Sequence, residues 1–230
     1  MSEVINYKGF NIKIKQDESP LNPRHDWDNG TTMVCFHRNY DLGDRKHGFN
    51  KSDYNSWDEL KAAIIKEKKP IAILPLFLYD HSGISMSTTR EYPYNCQWDS
   101  MVVGFIFVDE KGCKEMGWTK KWAKDLSNGN DEKYKGKSRE EILTDFLVSD
   151  VEIYNQYLTN EVYRFEVEDC DDADCGGFFG GNHKESGLLE QAQSSIDAEI
   201  KFRIGKRIEK LKEYIKAKVP VIYRTLPAIV

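Results

Sequence analysis

IAILPLFLYDHSGISMST, residues 71–88, is the stretch on which the fold turns. Residues 71–79 are apolar without interruption, the pattern of a strand covered on both faces. Asp80-His81-Ser82-Gly83 breaks the run with turn-forming residue types, and residues 84–88 then alternate apolar and polar. The whole reads as a hairpin: a buried strand, a polar tip and a half-exposed return strand. Pro75 conflicts with a central position because proline cannot donate to a strand ladder, so a bulge or a sheet edge is expected there. Residues 101–108 form a second strongly apolar strand with Gly104 inside it. Paired antiparallel with 71–79, that strand would begin beside the end of the first.

Working outward, Ser56-Trp57-Asp58-Glu59 and Ser138-Arg139-Glu140-Glu141 are capping boxes. The first opens a helix to about Lys68, stopped by Pro70. The second opens one to about Leu158 with Leu143, Phe146/Leu147, Val151, Tyr154 and Leu158 inward. The first fifteen residues read as a hairpin around Lys8-Gly9, residues 32–38 and 162–167 as strands, and 110–137 as short helical turns. From Ser186 an amphipathic helix runs to about Lys218, with Leu189, Ala192, Ile196, Ile200, Ile204, Ile208, Leu211 and Ile215 inward. The fold class is therefore α+β: a mainly antiparallel sheet, two or three packed helices and a long C-terminal amphipathic helix. The expected organisation is a core over residues 1–200 and a basic helical extension over 201–230, packed on the core or on a partner.

Composition excludes several classes. Hydrophobic residues at 40% and charged residues at 31% are ordinary for a globular chain, and 12% aromatics argue against disorder. No apolar run approaches the roughly 18 residues of a membrane span, so no membrane partner is expected. The N-terminal residues lack the basic-then-apolar pattern of a signal peptide, and five scattered cysteines form no disulfide framework. A cytoplasmic location is the expectation. The net charge of −5 hides an asymmetry: residues 201–230 carry nine Lys/Arg against two Glu, a net of +7 on an acidic body. Docking on that body, an acidic partner and nucleic acid are the three readings of such a segment. Aromatic interleaving of the kind that single-strand binders use is missing from it.

The candidate site gathers around the hairpin tip. Tyr79, Asp80, His81 and Ser82 stand where a buried strand ends, held rigidly yet open to solvent. Consecutive residues of an extended chain point to opposite faces, so Asp80-His81-Ser82 does not make a linear triad. Trp98, Asp99 and Ser100 precede the strand 101–108 and would sit beside the tip if the two strands pair. Two carboxylates and an imidazole there could perform acid–base work or hold a divalent metal, and could equally form a structural hydrogen-bond network. Glu152, on the helix 138–158, is a candidate third acid. Arg24 and His37 complete the ligand-binding candidates, although a partly buried, satisfied histidine is the plainer reading of His37. No metal site and no cofactor are assigned.

Other segments read as structure. Residues 22–31 suggest a polar turn held by Asx hydrogen bonds and lack the ligand spacing of a calcium loop. Cys170 and Cys175 fall short of a zinc ligand set. Gly176-Gly177-Phe178-Phe179-Gly180-Gly181 reads as a flexible turn, since it lacks the Lys-Ser/Thr of a phosphate-binding loop.

Several segments together carry a resemblance. They are Asn22-Pro23-Arg24 with residues 27–30, residues 32–38 and 40–44, LYDHSGI at 78–84, Trp98-Asp99-Ser100 with 103–106, and residues 154–159. In this order they resemble a family of small accessory proteins carried by bacteriophages, prophages and other mobile elements, over about residues 5 to 198. The resemblance implies a context without a mechanism. Such accessory proteins are often antagonists of host defence that bind a defence protein, sequester a signalling nucleotide or degrade one. The expected function is accordingly a binder that blocks a host defence protein or its nucleotide signal in the host cytoplasm. The alternative is a hydrolase, with or without a divalent metal, acting on a nucleotide or nucleic acid through Asp80, His81, Asp99 and Glu152. A dimer built on the apolar tail, residues 221–230, and the long helix is a further expectation.

Overall fold

The computed structural model describes residues 3–91, 100–170, 173–218 and 220. In chain order the strands are β1 (Glu3–Tyr7), β2 (Phe10–Gln16), β3 (Thr32–Cys35), β4 (Ala72–Asp80), β5 (Ile84–Ser87), β6 (Ser100–Val108), β7 (Val162–Val167) and β8 (Cys175–Phe179). The helices are α1 (Trp57–Lys68), α2 (Glu110–Glu115), α3 (Lys120–Ser127), α4 (Arg139–Leu158) and α5 (Leu188–Lys218). The strands form two four-stranded sheets, ordered β1-β2-β7-β8 and β3-β6-β4-β5. The α+β class with antiparallel pairing and a long C-terminal helix is as expected. The chain divides into two compact units, Met1–Asp17 with Tyr163–Val230, and Glu18–Val162. The divisions therefore fall at the edges of β2 and β7, away from residue 200 where the charge balance changes sign.

The first unit is one sheet with α5 on it. Lys8 and Gly9 both take left-handed φ values, 50° and 87°, giving the two-residue turn whose twist matches a hairpin. Ile12, Ile14, Phe165 and Val167 of the sheet close on Leu188, Ala192 and Ile196 of α5. Residues 175–179 differ from the expected flexible turn: Cys-Gly-Gly-Phe-Phe is the edge strand β8. Glycine weakens a strand by propensity, but β7 offers a ladder, Asp17 accepts the Gly177 N–H at 3.0 Å, and Phe178 packs on Phe165.

The inward stripe expected along all of α5 holds only for its first part. Ile204, Ile208 and Leu211 are about half exposed. The reason is length: 31 residues rise roughly 46 Å at 1.5 Å each, whereas strands of five to seven residues span only about 17–23 Å. Arg203 is tied to this unit, bonded to Glu199 and the Asp169 carbonyl and lying over the Phe10 ring.

The second unit is a sheet between helices. Met33, Leu76, Leu78 and Ile106 face α4, which contributes Leu143, Leu147, Val151 and Tyr154. Val34, Phe105 and Phe107 face α1 and its Leu60 and Ile64. Ser56 caps α1 by accepting the Glu59 N–H, while the Glu59 carboxylate turns to the Asn55 N–H. The box at Ser138 and Glu141 is complete in both directions. Pro75 lies in the half of β4 that β5 does not reach, since β5 pairs only with residues 77–80. Immediately after it the β4–β6 register slips: Leu76 faces Gly104 and Phe77 faces Val102. Val103 is thus the extra residue of a β-bulge. The inserted residue reverses the alternation of β6, so Val103 and Ile106 share one face while Phe105 and Phe107 take the other.

Candidate functional site

The hairpin tip is built as its sequence suggests. Asp80 and Ile84 are the last β4–β5 pair, and the His81 N–H bonds the Gly83 carbonyl at 3.1 Å across the loop. Ser82 at φ 58° and Gly83 at φ 146° turn the chain, and residues 81–83 are exposed. β6 lies antiparallel to β4 with Ser100 opposite Tyr79, so the strand adjacency that a shared polar site requires is present. Ser100 itself is buried. Trp98 and Asp99 lie outside the described residues. The rings of Tyr79 and His81 are 6.2 Å apart. Glu152 is exposed on α4, and its side chain makes no hydrogen bond or ion pair among the described residues.

Two other candidates do meet, through a residue that the sequence did not single out. Asp80 accepts the Tyr40 hydroxyl at 3.1 Å, and the His37 ring stacks on Tyr40 with centroids 4.9 Å apart and planes 18° from parallel. That hydrogen bond, aided by burial and the carboxylate charge, holds the Tyr40 phenol above its ordinary range. His37 Nδ1 accepts the Asn39 N–H at 3.2 Å, which leaves Nε2–H as a donor in the neutral ring. His47 has the same arrangement with Phe49 N–H at 3.1 Å, and burial lowers its pKa against the raising charge of Asp44. In both imidazoles Nδ1 is thus engaged by the backbone, which leaves Nε2 as the nitrogen to meet a ligand.

Arg24 is committed within the fold. Its guanidinium is buried and spends its donors inside the protein: Nε and Nη2 on the two oxygens of Asp44, each at 2.8 Å, and Nη1 and Nη2 on Thr31 Oγ1 and carbonyl at 3.1 and 3.0 Å. Asp150 stands 3.5 Å from Nη1 and accepts the Thr31 hydroxyl at 2.5 Å. Asp44 also accepts the Met33 N–H at 2.8 Å. A cation this fully bonded is scaffold, and an arriving ligand would have to break a buried ion pair to use it. Around it the expected Asx turn is present, with Asn22 accepting the Arg24 N–H and Asp26 accepting the Asn22 N–H.

Two of the cavities of this unit are lined by residues 35–60, and Asp44 of that network borders one of them. One cavity of about 340 Å³ is lined by His37, Tyr40, Arg45 and His47 among others. A second of about 290 Å³ is lined by Tyr54, Asn55, Trp57 and Leu60. Phe36 and Lys51 line both, so the two lobes adjoin. The β3–β6 ladder fixes the shared wall: one residue beyond the Cys35–Gly104 pair, the Val103 carbonyl accepts the Phe36 N–H at 2.8 Å. His47 meets the Phe36 ring edge-on at 5.6 Å. Aromatic faces with cations between them can stack planar rings and hold an anionic link. The sequence signal for this groove was the set of aromatics Phe36, Tyr40, Tyr54 and Trp57 interleaved with Lys51 in and beside a stretch that reads as irregular.

Among the described residues no group of three or more His, Cys, Asp or Glu side chains is placed to hold a metal ion. Cys170 is buried and Cys175 exposed, both as free thiols. No helix among the described residues is long and apolar enough to cross a membrane. No protein-family model, curated protein or solved structure matches the chain.

Proposed function

We propose that this chain is a phage or mobile-element accessory protein that antagonises host defence by sequestering a nucleotide signal in the host cytoplasm. The observation that carries the reading is the pair of adjoining cavities sharing Phe36 and Lys51. A ligand with two planar bases joined by phosphate would place one base in each lobe, against Tyr40 and His37 in one and Trp57 and Tyr54 in the other. Lys51 at the junction, with Arg45 nearby, would meet the phosphates as charge-assisted donors. Binding without turnover is favoured because Nδ1 of His37 and of His47 is already engaged by a backbone N–H, and Asp80 already accepts the Tyr40 hydroxyl.

Calorimetric titration with cyclic dinucleotides tests this, with chromatography of the recovered ligand. The expected result is binding with the ligand returned intact, weakened at least tenfold by Lys51→Glu, about 1.4 kcal/mol or more and the scale of one charged hydrogen bond. The second reading, a hydrolase that uses Asp80, His81 and Asp99 with a divalent metal, draws on one observation: Ser100, the residue after Asp99, is the antiparallel neighbour of Tyr79. Ligand consumed in the presence of Mg²⁺ or Mn²⁺, and spared by Asp80→Ala, would replace the binder with this reading. No affinity for any cyclic dinucleotide would remove the signal and leave a defence protein as the target.

A further inference from the structure

We infer that the projecting part of α5 is a docking helix for an acidic partner protein, one that offers an apolar groove rimmed by carboxylates. At 100° per residue, Ile200, Ile204, Ile208, Leu211 and Ile215 fall within an arc of about 80°, a continuous seam along the helix. Three of them, Ile204, Ile208 and Leu211, are 54, 46 and 53% exposed, although isoleucine and leucine are among the residue types most often buried. The same angles put Lys201 and Lys212 along one border of the seam and Arg207 along the other. The only two acids after residue 200, Glu209 and Glu213, fall on the opposite side of the helix. Negative charge is thus excluded from the face that would meet a partner, while cations border it on both sides, end it at Lys218 and continue round the helix at Arg203, Lys206, Lys210 and Lys216. An apolar floor with an anionic rim is the complement of such a face, in the mode of an amphipathic helix laid in a groove.

The other occupants fit less well. A second copy of the helix would set cations against cations along both borders. A lipid surface favours a broad apolar face carrying Trp, Phe or Leu, whereas this seam is narrow and isoleucine-rich, and Phe202 falls opposite it with Lys206 over its ring at 4.2 Å. Nucleic acid would pair the cations and leave the apolar seam without a partner.

The test uses the full chain and a defined probe. The probe is a synthetic amphipathic helical peptide with a leucine and isoleucine seam flanked by glutamates. Fluorescence anisotropy should report binding that weakens with added salt, falls at least tenfold in Ile208→Asp and is unchanged in Glu213→Ala. The same peptide with lysines in place of the glutamates should not bind. Ile208 is exposed, so Ile208→Asp leaves the core intact, and circular dichroism verifies its helix content. Three results would overturn the inference: equal affinity for the lysine peptide, tighter binding to anionic phospholipid vesicles or duplex DNA than to the acidic peptide, or a self-association in sedimentation velocity that Ile208→Asp dissolves.

Discussion

Arg24 illustrates how the same side chain reads differently alone and in place. Its two bonds to Asp44 are bidentate and its remaining donors reach Thr31, so the guanidinium holds residues 24, 31 and 44 together as one unit. Removing only the cation would leave Asp44 and Asp150 facing each other without their counter-ion. Arg24→Met is expected to cost about 3–5 kcal/mol, the scale of a buried pair broken from one side. Urea unfolding measures it, and a loss below about 1 kcal/mol would show that the network is solvated. Burial is the largest influence on Asp150 and raises its carboxyl pKa, opposed by the Thr31 hydrogen bond and the Arg24 charge. The folded chain then keeps a proton that the unfolded chain releases, between the ordinary carboxylate value and the raised one. The stability from this group is complete below that window and declines as pH rises through it. Asp150→Asn should abolish that slope in urea midpoints collected across the acidic range; an unaltered slope would place its origin elsewhere.

At the level of elements, β6 positions the groove through its pairing with β3. One extra residue, Val103, reverses the alternation of the strand against β4, while the β3–β6 ladder continues past it and its carbonyl accepts the Phe36 N–H. Gly104, beside it, faces Cys35 on β3 and Leu76 on β4, and a Cβ there would overlap the Val34 carbonyl. Gly104→Ala should therefore force β3 away from β6. The expected effect is about 1–3 kcal/mol of lost stability, as for other overpacked sites. Weaker cyclic dinucleotide binding should accompany it, because Phe36 moves with β3. A variant that keeps wild-type stability would show that the strands part without cost. Asn155 plays a quieter part: its side-chain oxygen accepts the Met86 N–H at 2.7 Å and ties the short strand β5 to α4.

At the scale of the whole molecule, the chain ends build one unit and the intervening residues, Glu18–Val162, build the other. Each has its own apolar cluster: Ile12, Phe165 and Ile196 in one, Leu76, Ile106 and Leu147 in the other. Both lobes of the groove lie within residues 35–60. The fragment 18–162 should therefore fold and keep the nucleotide affinity of the full chain, tested by circular dichroism and by the same titration. A folded fragment that has lost affinity would assign part of the site to the other unit.

What could be read from the sequence was what short-range chemistry controls. The caps at Ser56 and Ser138, the Lys8-Gly9 turn, the hairpin at 71–88 and the α+β class follow from residue types within a few positions of one another. The conflict at Pro75 was legible for the same reason, and so was the neighbourhood of β4 and β6, since both are apolar on both faces. Strand β8 was missed because its glycines argue locally for a turn, and only the edge of β7 makes them a strand. Tyr40 on Asp80, Phe36 beside Lys51, the spending of Arg24 on Asp44 and the overhang of α5 were decided by the tertiary structure. Each depends on distances between residues far apart in the chain, or on the size of a sheet against the length of a helix. Periodicity within one segment carries no record of either.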